Sequence, residues 1–229
     1  MNETTAREEI CRVGLSLFQR GYVHSTAGNI SVRLDASQGG GFLITPTDAC
    51  LGFLDPARLA RLDAHGQQIS GDRASKTIAL HRQIYAASAA TAMPAGCVIH
   101  THSTHTVALS LQAPLAAPAG AELLPALTPY FVMKVGHVPL IAYRRPGDPL
   151  AGQAVADAIG AYAARATPIR AVMLERLGPN VWHDTPAAAM AVVEELEETA
   201  RLWVLNQQQA KPLGDAQIDE LRQTFGASW

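Results

Sequence analysis

The segment CVIHTHS, residues 97–103, is the part of the sequence from which the fold and the site are best interpreted. Its three leading apolar residues are typical of a buried β-strand, and His100 and His102 follow at positions i and i+2. On a strand, that spacing points both imidazoles to the same face, within reach of one divalent metal ion. Two polar residues on a strand edge would give the same pattern, so the pair alone leaves both interpretations open.

Helix and strand patterns interleave on both sides of this segment without strict alternation. They predict an α/β protein with a mixed sheet covered by helices. No repeat is present and no linker is long enough to divide the chain, so residues 1–229 are predicted to form a single domain. Helices are expected at 5–20, 75–88, 104–112, 149–165, 186–208 and 215–225, and strands at 30–34, 41–45, 138–143, 170–175 and 180–183. Residues 52–72 are expected to contain one short helix and one strand, and residues 113–129 a loop with a short helix.

Composition favours small-molecule chemistry. The 229 residues are 48% hydrophobic and 17% charged, which suffices for a sizeable core, and the formal net charge is only −2. Scattered charges of both signs argue against nucleic acid or an anionic membrane as partners. The polar, acidic start and the lack of a long apolar run predict a cytoplasmic protein with no membrane span. Three widely spaced cysteines suggest buried thiols rather than disulfides.

Three further segments have the composition of an anion site. STAGN (25–29) and ITPTD (44–48) combine turn-forming small residues with neutral hydrogen-bond donors, and GDRASK (71–76) places Ser75 and Lys76 at the start of a helix. Backbone N–H groups in such turns and at a helix N-terminus favour anions. Each segment also has a simpler interpretation, as a hairpin turn or as a helix capped by Ser75.

The order and spacing of these segments resemble the class II aldolase and adducin family, which includes sugar-phosphate aldolases, an epimerase and several decarboxylases. The resemblance covers most of the chain and is strongest to the 3-oxo-tetronate 4-phosphate decarboxylases. It is carried by GNISVRLD, LGFLDPARLARLD, HTHSTHTVALS, TPYFVMKVG, PLIAYRRPGDP and EELEETARL.

The resemblance implies a three-layer α/β/α fold with a mixed, mostly antiparallel central sheet, assembled as a homotetramer. It implies that His100 and His102 bind Zn²⁺. Tyr130 matches a tyrosine that assists proton transfer across a subunit boundary, and Lys134 is placed to offer a positive charge to a substrate carboxylate. The residues implied to bind the substrate phosphate are Gly28, Asn29, Thr47, Ser75 and Lys76.

The chemistry implied is lysis of a carbon–carbon bond in a phosphorylated sugar acid. A 3-oxo acid loses CO2 when its ketone oxygen is polarised, because the electrons of the breaking bond then collect as an enediolate. From 3-oxo-tetronate 4-phosphate, the products are dihydroxyacetone phosphate and CO2. An aldolase of the family generates the same enediolate by releasing an aldehyde.

The sequence departs from the family pattern at two positions. Leu177 in ERLGP stands where the family has its third metal-binding histidine, and Thr77 in ASKT stands where it has a glutamate. Two histidines alone hold zinc weakly, so the metal site is predicted to be weakened or lost unless His24, His81, His105 or His137 replaces the missing ligand.

Three hypotheses follow: a working lyase with a rearranged metal site, an inactive relative, or an enzyme of the same fold with altered chemistry. The retained phosphate-side residues favour an enzyme.

Overall fold

The computed structural model describes residues 1–112 and 120–229. Each longer element follows from its sequence pattern and its end signals; the first helix, for example, stops at Gly21, which has a positive φ of 74°. The α-helices are α1 (Glu3–Gln19), α2 (Ile78–Ser88), α3 (Thr104–Ser110), α4 (Pro149–Ala164), α5 (Pro186–Leu205) and α6 (Asp215–Phe225). The strands are β1 (Asn29–Arg33), β2 (Phe42–Ile44), β3 (Ala60–Leu62), β4 (Gln68–Ser70), β5 (Cys97–His100), β6 (Leu140–Ile141), β7 (Ala171–Leu174) and β8 (Gly178–His183).

All eight strands form one sheet in the order β4-β3-β2-β1-β5-β8-β7-β6. Every pairing is antiparallel except that of β6 with β7. The sheet is therefore mixed and mostly antiparallel, as predicted. Strand β5 lies at its centre, between β1 and β8, so the histidine segment is held by both neighbours.

Helices cover both faces of the sheet. On one face, apolar side chains of α1 and α5 pack against Ile30, Ile99 and Val181, which belong to β1, β5 and β8. On the other face, α2 and α4 pack against Val98 and Trp182 of β5 and β8. Because side chains alternate along a strand, β5 and β8 supply residues to both cores. The arrangement is the predicted three-layer α/β/α sandwich.

Several element predictions are corrected by the structure. In residues 52–72, the expected helix and strand are two single-turn 3₁₀ helices followed by the β3–β4 hairpin. Strand β5 ends at His100, so His102 lies beyond the strand and not on it. A short π-helical stretch, Phe131–Val135, was not predicted. Part of the loop prediction, at 113–119, falls outside the described residues.

Two other expectations concern the thiols and the helices. All three cysteines are free, but only Cys97 is buried, since Cys11 and Cys50 are half-exposed. Within the described ranges, no helix combines the length and the apolar character that crossing a membrane requires.

Candidate active site

A cavity of about 680 Å³ opens at the His100 end of β5, on the face of the sheet covered by α2 and α4. The segments that line it include the turn before β1, the segment leading into α2, the end of β5 and the loop between β6 and α4. Seven residues predicted from the sequence lie on its wall: Gly28, Asn29, Thr47, Ser75, Lys76, His100 and His102. The structure thus brings together the predicted phosphate-binding and metal-binding groups.

The two histidine rings meet although His102 lies past the end of the strand. Their Nε2 atoms are 3.1 Å apart. His100 Nδ1 is 2.9 Å from the carbonyl oxygen of Pro179, and because a carbonyl only accepts, Nδ1 carries the proton and Nε2 is left with its lone pair. In this arrangement His102 Nε2–H donates to His100 Nε2.

Both imidazoles are held in the neutral form. Burial, and then the neighbouring His102, lowers the pKa of His100 to about 3, against an opposing effect of the Pro179 carbonyl. Burial, followed by His24, lowers the pKa of His102. Neutral imidazole is the form in which histidine binds a metal, and for His100 the Pro179 carbonyl fixes the tautomer whose Nε2 lone pair a metal needs. His102 Nε2 would first have to give up the proton that it donates to His100.

Gly28 fixes the turn before β1 against the histidine segment. Its φ is +81°, and a Cβ at this position would lie 2.7 Å from Val23 Cγ1 and 2.9 Å from the carbonyl oxygen of His100. A larger residue would therefore be strained and would push the turn away from β5. Asn29, which follows, pairs directly with His100 across the sheet.

Backbone hydrogen bonds join the other two predicted anion-binding segments. Thr47 N–H donates to the Arg73 carbonyl at 2.8 Å, and Ser75 N–H donates to the Thr45 carbonyl at 3.2 Å. Helix α2 begins only at Ile78, so Ser75 and Lys76 lie in the turn before it and Ser75 is not its N-cap. These two segments are therefore held together, and all three small polar segments line the cavity.

The residues present fit a metal ion at two positions and not at a third. Nitrogens 3.1 Å apart can both lie at bonding distance from one zinc ion. Leu177 lines the cavity where the family's third histidine is expected, and Thr77 Oγ1 instead accepts from Asn29 Nδ2 and from Ser75 Oγ, both at 3.3 Å. Among residues 1–112 and 120–229, no three His, Cys, Asp or Glu side chains are grouped to hold a metal ion.

The candidate replacement histidines have other neighbours. His105 Nδ1 is 2.7 Å from Glu197, His137 Nδ1 is 2.7 Å from Glu122, and His81 is fully buried beside Ser31. The ring centroid of His24 lies 6.3 Å from that of His102. None of the four lines the cavity.

Tyr130 and Lys134 lie outside the cavity of their own chain. Tyr130 is 63% exposed. Lys134 is near His183, where it contributes, after burial and Arg170, to lowering the pKa of that histidine. His183 pairs with Cys97, at the end of β5 remote from His100. The structure therefore does not bring these two predicted residues together with the other predicted site residues.

The structure adds three polar residues that sequence reasoning missed. Arg144 and Arg145 line the cavity from the loop before α4, and in the described part of the chain neither has an acidic partner. Asn180, fully buried, pairs with His100 on the side opposite Asn29. The arginines lie in PLIAYRRPGDP, and two adjacent cations in that segment could have indicated an anion-binding role. Nothing in the sequence distinguishes Asn180.

Known proteins share both the sequence and the fold. A family profile described as the class II aldolase and adducin N-terminal domain matches residues 8–204. A Cupriavidus necator protein named 3-oxo-tetronate 4-phosphate decarboxylase is 50% identical over 99% of both chains. An Escherichia coli K12 protein of the same name is 38% identical over 96% of both.

Among solved structures, YgbL from Escherichia coli has a TM-score of 0.82 and 36% identity, with 96% of this chain and 99% of that chain covered. An L-fuculose 1-phosphate aldolase with a TM-score of 0.76 is 22% identical, with 97% and 96% covered, and supports the fold alone. The profile match spans most of the sequence, and the similar chains align from end to end. The protein therefore belongs to the class II aldolase and adducin family.

Proposed function

We propose that this protein is a carbon–carbon lyase that decarboxylates a 3-oxo-tetronate 4-phosphate to dihydroxyacetone phosphate and CO2. One observation carries the proposal: a single cavity combines a wall of small polar turns, a neutral histidine pair and three cations without acidic partners among the described residues, Lys76, Arg144 and Arg145. The relatives that are 50% and 38% identical over nearly their full length bear the name of this activity.

The two anionic ends of such a substrate match two parts of the cavity wall. We assign the phosphate to the wall formed by Gly28, Asn29, Thr47, Ser75 and Lys76, where backbone N–H groups, hydroxyls and an ammonium are available. Arg144 and Arg145, on the loop before α4, are suited to the carboxylate. A sugar phosphate without a carboxylate would leave these arginines unused.

Between the two ends, His100 and His102 face the reacting carbons. They are the residues that would hold a divalent ion, and such an ion, when bound, supplies the Lewis acid that polarises the substrate ketone. The Pro179 carbonyl keeps His100 in one tautomer, which directs its Nε2 lone pair to the cavity. Leu177 provides no ligand, so we expect Zn²⁺ to be held more weakly than by a three-histidine site.

A proton must reach C2 after CO2 has left. We propose that Tyr130, which is exposed, assists this step in the cavity of a neighbouring copy within a homotetramer, and that Lys134 reaches the substrate carboxylate only in the same way. Size-exclusion chromatography with light scattering tests the assembly. The proposed place of action is the cytoplasm.

The alternative is a catalytically inactive relative. Thr77 and Leu177 favour it, because they replace two of the groups that the family uses around the metal. The retained cavity, and its cations that have no acidic partner in the described ranges, argue for a working enzyme.

The deciding experiment is a decarboxylation assay on protein purified without chelator, with its metal content measured by elemental analysis. CO2 release and dihydroxyacetone phosphate formation should exceed the spontaneous rate of the 3-oxo acid by orders of magnitude. His102→Ala should remove both the bound metal and the activity. Turnover no faster than the spontaneous rate, with zinc, manganese or cobalt added, would favour the inactive relative.

A further inference from the structure

The side chain of Asn180 is buried in the wall of the cavity without a hydrogen-bond partner. Its residue is 0% exposed, and neither Oδ1 nor Nδ2 bonds to any group in the described residues. An amide in this state carries a desolvation cost that the fold does not recover. Such groups persist in proteins where a ligand satisfies them.

Asn180 belongs to a row of polar side chains that crosses three strands. Asn29 and Asn180 are the direct partners of His100 in β1 and β8, and direct partners project from the same face, with their Cβ atoms about 4.5–5.5 Å apart. Asn29 Nδ2 is bound to Thr77, whereas Asn180 has both amide atoms available. On the β8 side of His100, the nearby turn adds only the apolar Leu177 to the cavity wall.

We propose that Asn180 is a substrate-binding residue whose amide N–H donates to the oxygen that becomes negative during the reaction. The inference rests on the proposed function and adds a catalytic group to it. When the C1–C2 bond of the 3-oxo acid breaks, CO2 leaves and the electron pair forms the C2=C3 double bond. The ketone π pair moves onto the C3 oxygen, and C2 later takes a proton. A neutral donor already fixed beside that oxygen stabilises the charge without reorganising.

The first test measures binding. Calorimetry compares a phosphorylated hydroxamate, which mimics the enediolate of dihydroxyacetone phosphate, with inorganic phosphate. Asn180→Val should weaken binding of the hydroxamate about 10- to 100-fold and leave phosphate binding unchanged. Asn180→Asp, which keeps the shape but replaces the donor with a charged acceptor, should lose at least as much. Unchanged hydroxamate affinity in both variants would overturn the proposal.

The second test measures stability and separates a binding role from a structural one. Because the amide has no partner among residues 1–112 and 120–229, Asn180→Val should raise the Tm of the ligand-free protein, by roughly 2–8 °C. A residue that holds the fold together would lower it. Val181→Ala, on the adjacent residue but the opposite face, is the matched control: it should lower the Tm and leave the ratio of hydroxamate to phosphate affinity unchanged.

The two proposals fail differently. If the protein does not decarboxylate the 3-oxo acid but binds the hydroxamate through Asn180, the proposed substrate is wrong and the oxyanion-binding role of Asn180 stands. If it decarboxylates the substrate and Asn180→Val retains both kcat and hydroxamate affinity, the function stands and the role of Asn180 is wrong.

Discussion

Two adjacent rows of side chains cross the centre of the sheet on opposite faces, and they differ in how their groups are satisfied. The row toward α1 and α5 is wholly apolar and buried, and each member packs into one continuous core. The row toward α2 and α4 is polar, and two of its three members contain atoms without a hydrogen-bond partner in the described chain. The apolar row is Ile30, Ile99 and Val181; the polar row is Asn29, His100 and Asn180.

The difference teaches how one set of strands forms both a core and a site. A shift of one residue along β1, β5 and β8 changes the face, so the strands that bury Ile99 also present His100 to the cavity. The apolar row stabilises the fold. The polar row lowers the stability of the ligand-free protein, because some of its buried polar atoms are left available for a ligand. Mutations in the two rows should therefore affect different properties.

Truncating the apolar row should give the largest effect on stability. Ile99 is fully buried at the centre of the sheet, so Ile99→Ala leaves a cavity and should lower the free energy of unfolding by about 2–5 kcal/mol, measured by urea denaturation. Activity per folded molecule should be retained. Ile69→Ala, at a 61% exposed position in β4, is the control, with an expected change within about 0.5 kcal/mol. Equal effects of the two variants would contradict the comparison.

Restoring a ligand beside the polar row should strengthen metal binding. Leu177→His adds an imidazole to the wall that carries His100 and His102, and zinc affinity, measured by competition with a chromophoric chelator, should rise about 10- to 100-fold, or roughly 1.4–2.7 kcal/mol. Leu177→Gln, which is polar but a poor zinc ligand, should not reproduce the gain. Equal zinc affinities of the two variants would show that position 177 is not where the missing third ligand belongs.

Removing the arginines should affect the carboxylate end of the substrate alone. The double variant Arg144→Gln/Arg145→Gln should raise KM for the 3-oxo acid about tenfold, or about 1.4 kcal/mol, because charge-assisted hydrogen bonds to the carboxylate are lost. Affinity for dihydroxyacetone phosphate, which lacks that carboxylate, should not change. Lys211→Gln removes an exposed cation outside the cavity and serves as the control. A parallel loss of affinity for both ligands would assign the arginines to the phosphate instead.

The sequence predicted the apolar row better than the polar one. Alternating residues from Ile30 and the apolar run that ends at Ile99 predict buried strands from local pattern alone, and the hairpin of β1 with β2 follows from the glycines between them. The histidine pair was also visible, although the chain leaves the strand at His100. Asn180 was not, because its significance depends on pairing with His100, 80 residues away in sequence, and on an amide that no described residue bonds. Distances between remote segments are set by the fold and leave no local pattern.

His81, which packs beneath the polar row, should make stability depend on pH, and its expected effect on stability is the smallest of those predicted. It lies on α2 beneath the polar row, fully buried, with Nδ1 2.8 Å from Ser31 Oγ. Burial, and to a lesser degree His100, lowers the pKa of His81 to about 3. The sequence left open a metal-binding role for this histidine, but the structure buries it in the interior as a neutral group.

The sign of the pH effect follows from proton uptake. Below pH 6.5 the unfolded chain binds a proton at His81 that the folded chain does not, so acid favours unfolding and the stability present above pH 6.5 is lost as the pH falls toward 3. Between pH 6.5 and 5.5 the loss from this group should be about 1 kcal/mol. His81→Gln should flatten the pH dependence of the urea midpoint by that amount, whereas His65→Gln, in an exposed turn, should not. An unchanged slope in His81→Gln would mean that His81 is protonated in the folded protein, and that the polar row tolerates a charge beneath it.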